Sequence, residues 1–378
     1  MGTFFSPGAT VTIQEFSDIF ETLAPSSIAW KNDNVGLQIG RPEAAVRNIL
    51  VTLDVTAECI LEAKRIGASL IVAHHPLLFH PQRSITDRTR VGSLSLALAE
   101  ERIALFAAHT NLDSVPWGVN GALSMALGLQ TPSILSPLSG SLEKIVVYVP
   151  ADHADSVAEA MYAEGAGMFA RYDRCSFRSA GMGTFRGKNG AKPFIGTPGS
   201  DERVEETRIE MMCETWRTPS VVRGMLAAHP YEEAAYDVVP LANAHGEYGL
   251  GMIGTLPKPM SAKAFLARVK RALKTPALRY TPGDGPVRTV AVCGGSGESV
   301  IGDALRRGAD ALVTADLKYH TFQEHQGRLL LVDAGHYETE RLVLPVLAGA
   351  LREALRQRSY RGSVIVTRTS PNPVFYHT

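Results

Sequence analysis

Residues 48–75 read NILVTLDVTAECILEAKRIGASLIVAHH. NILVTL (48–53) is a short apolar run rich in branched residues, the pattern of a strand buried on both faces. TAECILEAKRIGA (56–68) has helical spacing, and Thr56 stands where an N-cap is needed. SLIVA (69–73) is a second buried strand, and it ends on His74 and His75. Strand, helix and strand in succession make a βαβ unit with parallel strands. The rhythm continues outward. VGSLSLALAEERI (91–103) predicts a helix and ALFAA (104–108) a third strand. Upstream, TIQEFSDIFETLA (12–24) predicts a helix with Ile13, Phe16, Ile19 and Phe20 on one face. WKNDNVGLQIGRP (30–42) reads as a loop.

The same alternation returns near the end. VRTVAVC (287–293), DALVTA (310–315), RLLLVDAG (328–335) and SVIVTRT (363–369) predict strands. ESVIGDALRRGA (298–309) and a long segment over about 337–356 predict helices. The middle differs. KIVVYVP (144–150) predicts a strand and HADSVAEAMYAEGA a helix. A Gly-rich stretch of strands and turns follows (181–199), then HPYEEAAYDVVPL (229–241). The expected fold class is therefore α/β. Residues 1–140 and 251–378 form two βαβ-type halves of one domain, interrupted by an inserted α+β domain over 141–250.

Composition agrees with a globular chain. The 378 residues are 45% hydrophobic and 20% charged, which excludes global disorder and a small disulfide-stapled scaffold. Lys+Arg and Asp+Glu number 38 each, so there is no net charge to favour nucleic acid. Cys59, Cys175, Cys213 and Cys293 form no CxxC pair and read as reduced, buried thiols. The first 14 residues carry no charge, unlike a signal peptide. The uncharged run from Ser114 to Leu142 is broken by Pro116, Pro132 and Pro137, unlike a membrane span. A cytoplasmic protein is expected.

Chemistry-bearing side chains cluster just past strand ends. His74 and His75 follow SLIVA. His109 and Asp113 follow ALFAA. Asp333, His336, Glu338 and Glu340 follow RLLLV. In parallel sheets, ligands sit outside the carboxyl ends of strands, so the three clusters are candidates for one site. His336 and Glu340 stand four apart on a predicted helix, one turn from each other. Imidazole and carboxylate together suit Zn, Fe, Mn or Ni. Adjacent histidines diverge, but each could serve one of two ions bridged by a carboxylate. Each piece alone has a plainer reading: a strand exit, an exposed helix pair, a turn-forming aspartate. CGGSGES (293–299) lies between a strand and a helix. It fits a tight turn or an anion cradle, yet matches neither GxGxxG nor a P-loop. TADLKYH (314–320) adds Asp316, Lys318 and His320, the last a candidate general acid/base.

WKNDNVGLQIG, VAHHPLLF, HTNLDSVPWGVN, VAVCGGSGES, TADLKYH and DAGHYETE, in this order, resemble the dinuclear-metal-centre hexameric family, whose members carry the name GTP cyclohydrolase 1 type 2 homolog. The middle segment, through HPYEEAAYDVVPL, is similar to PII and CutA-like folds. The resemblance implies metal ligands at His74, His75, Asp113, His336 and Glu340, with Glu340 bridging two divalent ions, Zn first, or Fe, Mn or Ni. His109 and Glu338 stand beside the ligands without being ligands. The family also implies a homohexamer, a dimer of trimers. Two functions follow as expectations. One is a metal-dependent hydrolase acting on a nucleotide or phosphoester, with His320 relaying protons and the glycines at 294–297 holding phosphate. The other is a non-catalytic regulatory or scaffold hexamer, or a metal chaperone, with an inserted domain that senses a small ligand. Neither reading involves a membrane or nucleic acid.

Overall fold

The computed structural model describes residues 11–377, apart from 170, 284, 359, 370 and 371. It divides into two compact units, one formed by Met1–Ser136 with Tyr248–Thr378 and the other by Pro137–Glu247.

In the first unit, helix Ile13–Leu23 starts at a capping box. Thr12 Oγ1 accepts from Glu15 N at 3.1 Å, and Glu15 Oε2 accepts from Thr12 N at 2.7 Å. Its apolar face is buried, with Phe16 meeting Phe106 edge to face at 5.3 Å. Five strands form a sheet in the order Gly36–Ile39, Ala104–Ala107, Ala68–Ala73, Asn48–Thr52, Val364–Val366. All neighbours pair parallel except the first strand, which lies antiparallel on Ala104–Ala107. That first strand falls within the stretch expected to be a loop. Edge pairing on Leu105–Ala107 makes it extended, within a stretch whose flanking Asn, Asp and Gly residues read as a loop.

A second sheet, built mostly from the same unit, runs Arg279–Tyr280, Leu330–Asp333, Ala311–Ala315, Pro286–Ser296, His245–Ser261, Gln130–Leu138. Leu330–Asp333, Ala311–Ala315 and Pro286–Ser296 are parallel to one another. The two α/β halves thus share one compact unit but build two sheets. They also exchange elements, because Val364–Val366 returns to pair with Ile49–Val51 in the first sheet. The single helix expected over 337–356 is two, His336–Glu340 and Val343–Arg356. Pro345 explains the break. It has no N–H for an interior helical bond, but it costs little in the first turn of a new helix.

The unit Pro137–Glu247 is α+β. Its antiparallel sheet runs Phe177–Arg186, Asp201–Glu214, Leu142–Pro150, Tyr236–Pro240. Helices Ala154–Ala163 and Thr218–Ala228 bury Val157, Met161, Val221 and Met225 against Ile145, Val147, Ile209 and Met211. The four cysteines are free, and Cys175 is partly exposed, not buried as expected. Among the described residues, no helix is long and apolar enough to cross a membrane.

Asn120 joins the two halves of the first unit. Buried on helix Val119–Leu127, it donates to Asp113 O and accepts from Gly294 N, both at 2.9 Å. Asn120→Ala leaves the Gly294 N–H without that acceptor. It should lower stability by about 1–3 kcal/mol in urea denaturation.

Candidate metal centre

Backbone pairing places the first two histidines. The parallel ladder continues past the strand ends, with His74 N donating to Thr52 O at 3.0 Å and His75 N to Leu53 O at 2.9 Å. Asp113 lies on the short helix Thr110–Ser114, after Ala104–Ala107. His336 and Glu340 open and close helix His336–Glu340, so they share one face one turn apart. These five side chains meet. Glu340 Oε1 lies 3.7 Å from His74 Nε2 and 3.0 Å from His336 Nε2, and Glu340 Oε2 lies 3.0 Å from His75 Nε2. His74 Nε2 also faces Asp113 Oδ1 at 3.7 Å, and the Nε2 atoms of His75 and His336 are 3.4 Å apart.

Each imidazole is held from behind through Nδ1. Ala108 O takes the His74 Nδ1–H at 2.7 Å, so the inward Nε2 carries a lone pair. Asp54 holds His75 Nδ1 at 3.0 Å, Asp316 holds His336 Nδ1 at 2.6 Å, and Asp33 holds His109 Nδ1 at 2.9 Å. Carboxylate or carbonyl behind imidazole is the arrangement that fixes tautomer and ring direction in metal sites. Two inward atoms, His74 Nε2 and Asp113 Oδ1, are buried with no hydrogen-bond partner. A lone pair facing a carboxylate oxygen repels it unless a cation or a proton lies between. The donor set therefore fits a metal ion. His75, His336 and Glu340 form one group able to hold it, and His74, His75 and His109 another, with donor atoms within 4.8 Å of one another in each.

The site's electrostatics point the same way. Burial pushes Asp113 up to about 7 against the pull of His74, with Glu340 adding to the rise. Burial acts upward on Glu340 too, but His74, His336 and His75 hold it well below the usual carboxylate range. Against burial, Asp54 and Glu340 raise His75 to about 10. Glu340 and Asp316 likewise raise His336 to about 9.

Other residues marked in the sequence lie around this cluster or apart from it. His320 is exposed on helix Tyr319–His325, with Nδ1 3.4 Å from Gln323 Oε1, and belongs to neither metal-holding group. Asp333 is paired with Arg279, and Glu338 accepts from Asn372 Nδ2 at 2.9 Å. The glycine loop is a wall of the centre. Gly295 has φ +60, and a Cβ there would stand 2.3 Å from Glu340 Oε1. Gly294 N and Gly295 N donate to Asn120 Oδ1 and Thr339 Oγ1, and the helix beyond, Ile301–Arg306, is short. Of the two readings of this loop, the structure favours the tight turn over the phosphate cradle. Sequence reasoning missed Asp33 and Asp54, and it noted Asp316 without a role. A usable signal was present, because Asp54 and Asp316 each stand just past a strand end, as the histidines do.

A family model described as Duf34/NIF3 (NGG1p interacting factor 3) matches residues 11–373. The chain belongs to this family. A Halalkalibacterium halodurans relative named GTP cyclohydrolase 1 type 2 homolog is 39% identical over 363 residues, 95% of this chain and 97% of its own. A Bacillus subtilis relative of the same name is 37% identical over 369 residues, 96% and 98% of the two chains. Among solved structures, a Bacillus cereus protein related to NIF3 matches with TM-score 0.85 and 37% identity, covering 98% of this chain and 100% of that one.

Two outcomes follow from the geometry. Asp54→Asn and Asp316→Asn should each weaken metal affinity about 10- to 100-fold, read by chelator competition. Glu340, with Asp54 behind His75 and Asp316 behind His336, favours the protonated imidazoles, so metal binding must displace protons. Binding should then release protons and strengthen as pH rises through about 9 to about 10, which titration calorimetry in buffers of different ionisation enthalpy would measure.

Proposed function

We propose that the chain is a dinuclear metal-binding protein with a metal-dependent hydrolase activity. His74, His75, Asp113, His336 and Glu340 would hold the two divalent ions between them. The observation that carries this reading is the buried, unpartnered pair His74 Nε2 and Asp113 Oδ1, facing each other at 3.7 Å beside Glu340. Neutral imidazoles and carboxylates suit zinc first, and iron, manganese or nickel next. Such a pair, when bound, activates water near neutral pH and polarises a substrate oxygen. The chain's own residues do the rest. Ala108 O, Asp54 and Asp316 keep the Nδ1 protons outward and the Nε2 atoms inward. A cavity of about 380 Å³ beside His75 and His336 gives a small substrate access. The relatives' shared name, GTP cyclohydrolase 1 type 2 homolog, supports a nucleotide as substrate.

A second reading is a regulatory or scaffold assembly with a ligand-sensing insert. The inserted unit supports it with its own cavity of about 970 Å³, walled partly by Phe185, Phe194 and Tyr231. Its antiparallel sheet with two packed helices supports a PII/CutA-like reading. The exposed apolar residues Tyr236, Val238 and Val239 on an edge strand support self-association into the family's hexamer.

Elemental analysis of protein purified without chelator or tag tests the first reading. About two ions per chain are expected, falling sharply in Glu340→Ala; less than about half an ion per chain, unchanged after reloading, sinks it. Turnover of nucleotides or phosphoesters, lost in His336→Ala with assembly retained, supports the hydrolase. A silent substrate panel, with a ligand binding the insert, supports the second reading.

A further inference from the structure

We propose that Arg279 and Tyr376 form an oxyanion subsite beside the metal centre, in a cavity that Asn372, Pro373 and Val374 also line. It would receive the phosphate or carboxylate group of the ligand that reaches the metals, and so it rests on the metal reading above.

One cavity of about 380 Å³ is lined by His75 and His336 together with Arg279, Asn372, Val374 and Tyr376. The carboxylates around it already have partners. Asp54 and Asp316 hold histidines, Asp333 is paired with Arg279, and Glu338 accepts from Asn372. Arg279 is fixed through one nitrogen. Nη2 donates to Leu317 O at 2.9 Å and to Asp333, and the guanidinium lies 5.4 Å from the Phe322 ring. Among the described residues, its Nε and Nη1 make no hydrogen bond, and the side chain is 61% exposed. A guanidinium held at one corner, lining a cavity with N–H groups left over, is suited to a phosphate or carboxylate.

Tyr376 supplies a second donor. Its hydroxyl has no hydrogen bond among the described residues, and it would stand 3.3 Å from a Cβ placed on Gly335, next to His336. Burial, then the Glu338 and Asp333 carboxylates, raise its pKa, while Arg279 acts the other way. The segment that carries it is anchored. Asn372 donates to Glu338, on the metal-ligand helix, and accepts from Val374 N at 2.9 Å. A purely structural Arg279 would neutralise Asp333 and do nothing for anions.

The test is titration calorimetry of the full, metal-reconstituted chain with inorganic phosphate and with acetate, using azide as a probe directed at the metals alone. Metal content is measured on the same samples. Arg279→Gln should weaken binding of the preferred oxyanion about tenfold and Tyr376→Phe about threefold, with azide binding and metal content unchanged. Should Arg279→Gln unfold through the loss of its Asp333 pair, Tyr376→Phe still decides, since no described bond depends on that hydroxyl. Oxyanion affinity within twofold of wild type in every folded variant overturns the subsite. Oxyanion binding that depends on Arg279 in a chain that takes up no metal would keep the subsite and remove the metal reading.

Discussion

His74 Nε2 and Asp113 Oδ1 are two buried acceptors turned toward each other with no donor between them. In a closely packed interior such a pair costs several kcal/mol unless a cation or a shared proton offsets it. The surrounding fold keeps them there. Ala108 O blocks the other side of His74, and Asn120 grips the backbone of Asp113 while tying it to Gly294. Gly295, in a left-handed conformation, leaves room for the Glu340 carboxylate.

Around that pair the structure repeats one device with different parts. An imidazole points its Nε2 inward while an oxygen behind it holds Nδ1. At His336 the oxygen belongs to Asp316, whose φ of +57 is a conformation that aspartate tolerates better than most side chains. Strain of this kind persists where the surroundings impose it, and here the bond to His336 is part of what it achieves. Asp33 is the most strongly tied of the set. Despite burial, His109 and Thr110 draw it down to about 2, so it is ionised behind His109 at any physiological pH.

Much of the architecture was legible locally. Apolar runs marked the parallel strands at 48–52, 68–73 and 104–107 because strands buried on both faces must be apolar throughout. Thr56 marked its helix because a side-chain oxygen must take an orphan N–H. Gly36–Ile39 was not legible, since its extension comes from a neighbour and not from its own residues. The division of the two halves into separate sheets was equally hidden, because the pairing of Val364–Val366 with Ile49–Val51 depends on contacts some 315 residues apart in the chain.

The site divides the same way. Sequence alone determined which chemistry was on offer: imidazoles and carboxylates just past strand ends, and a histidine and a glutamate one helical turn apart. Those follow from side-chain type and from short-range periodicity. Only the tertiary structure decided which of them meet. His75 and Glu340 stand 265 residues apart in the chain, and they touch because strand registers and a helix start bring them together. It also left His320 on the surface, turned the glycine loop into a wall, and recruited Asp33, Asp54 and Asp316 behind the histidines. Distance through space depends on packing between elements, and no local pattern encodes it.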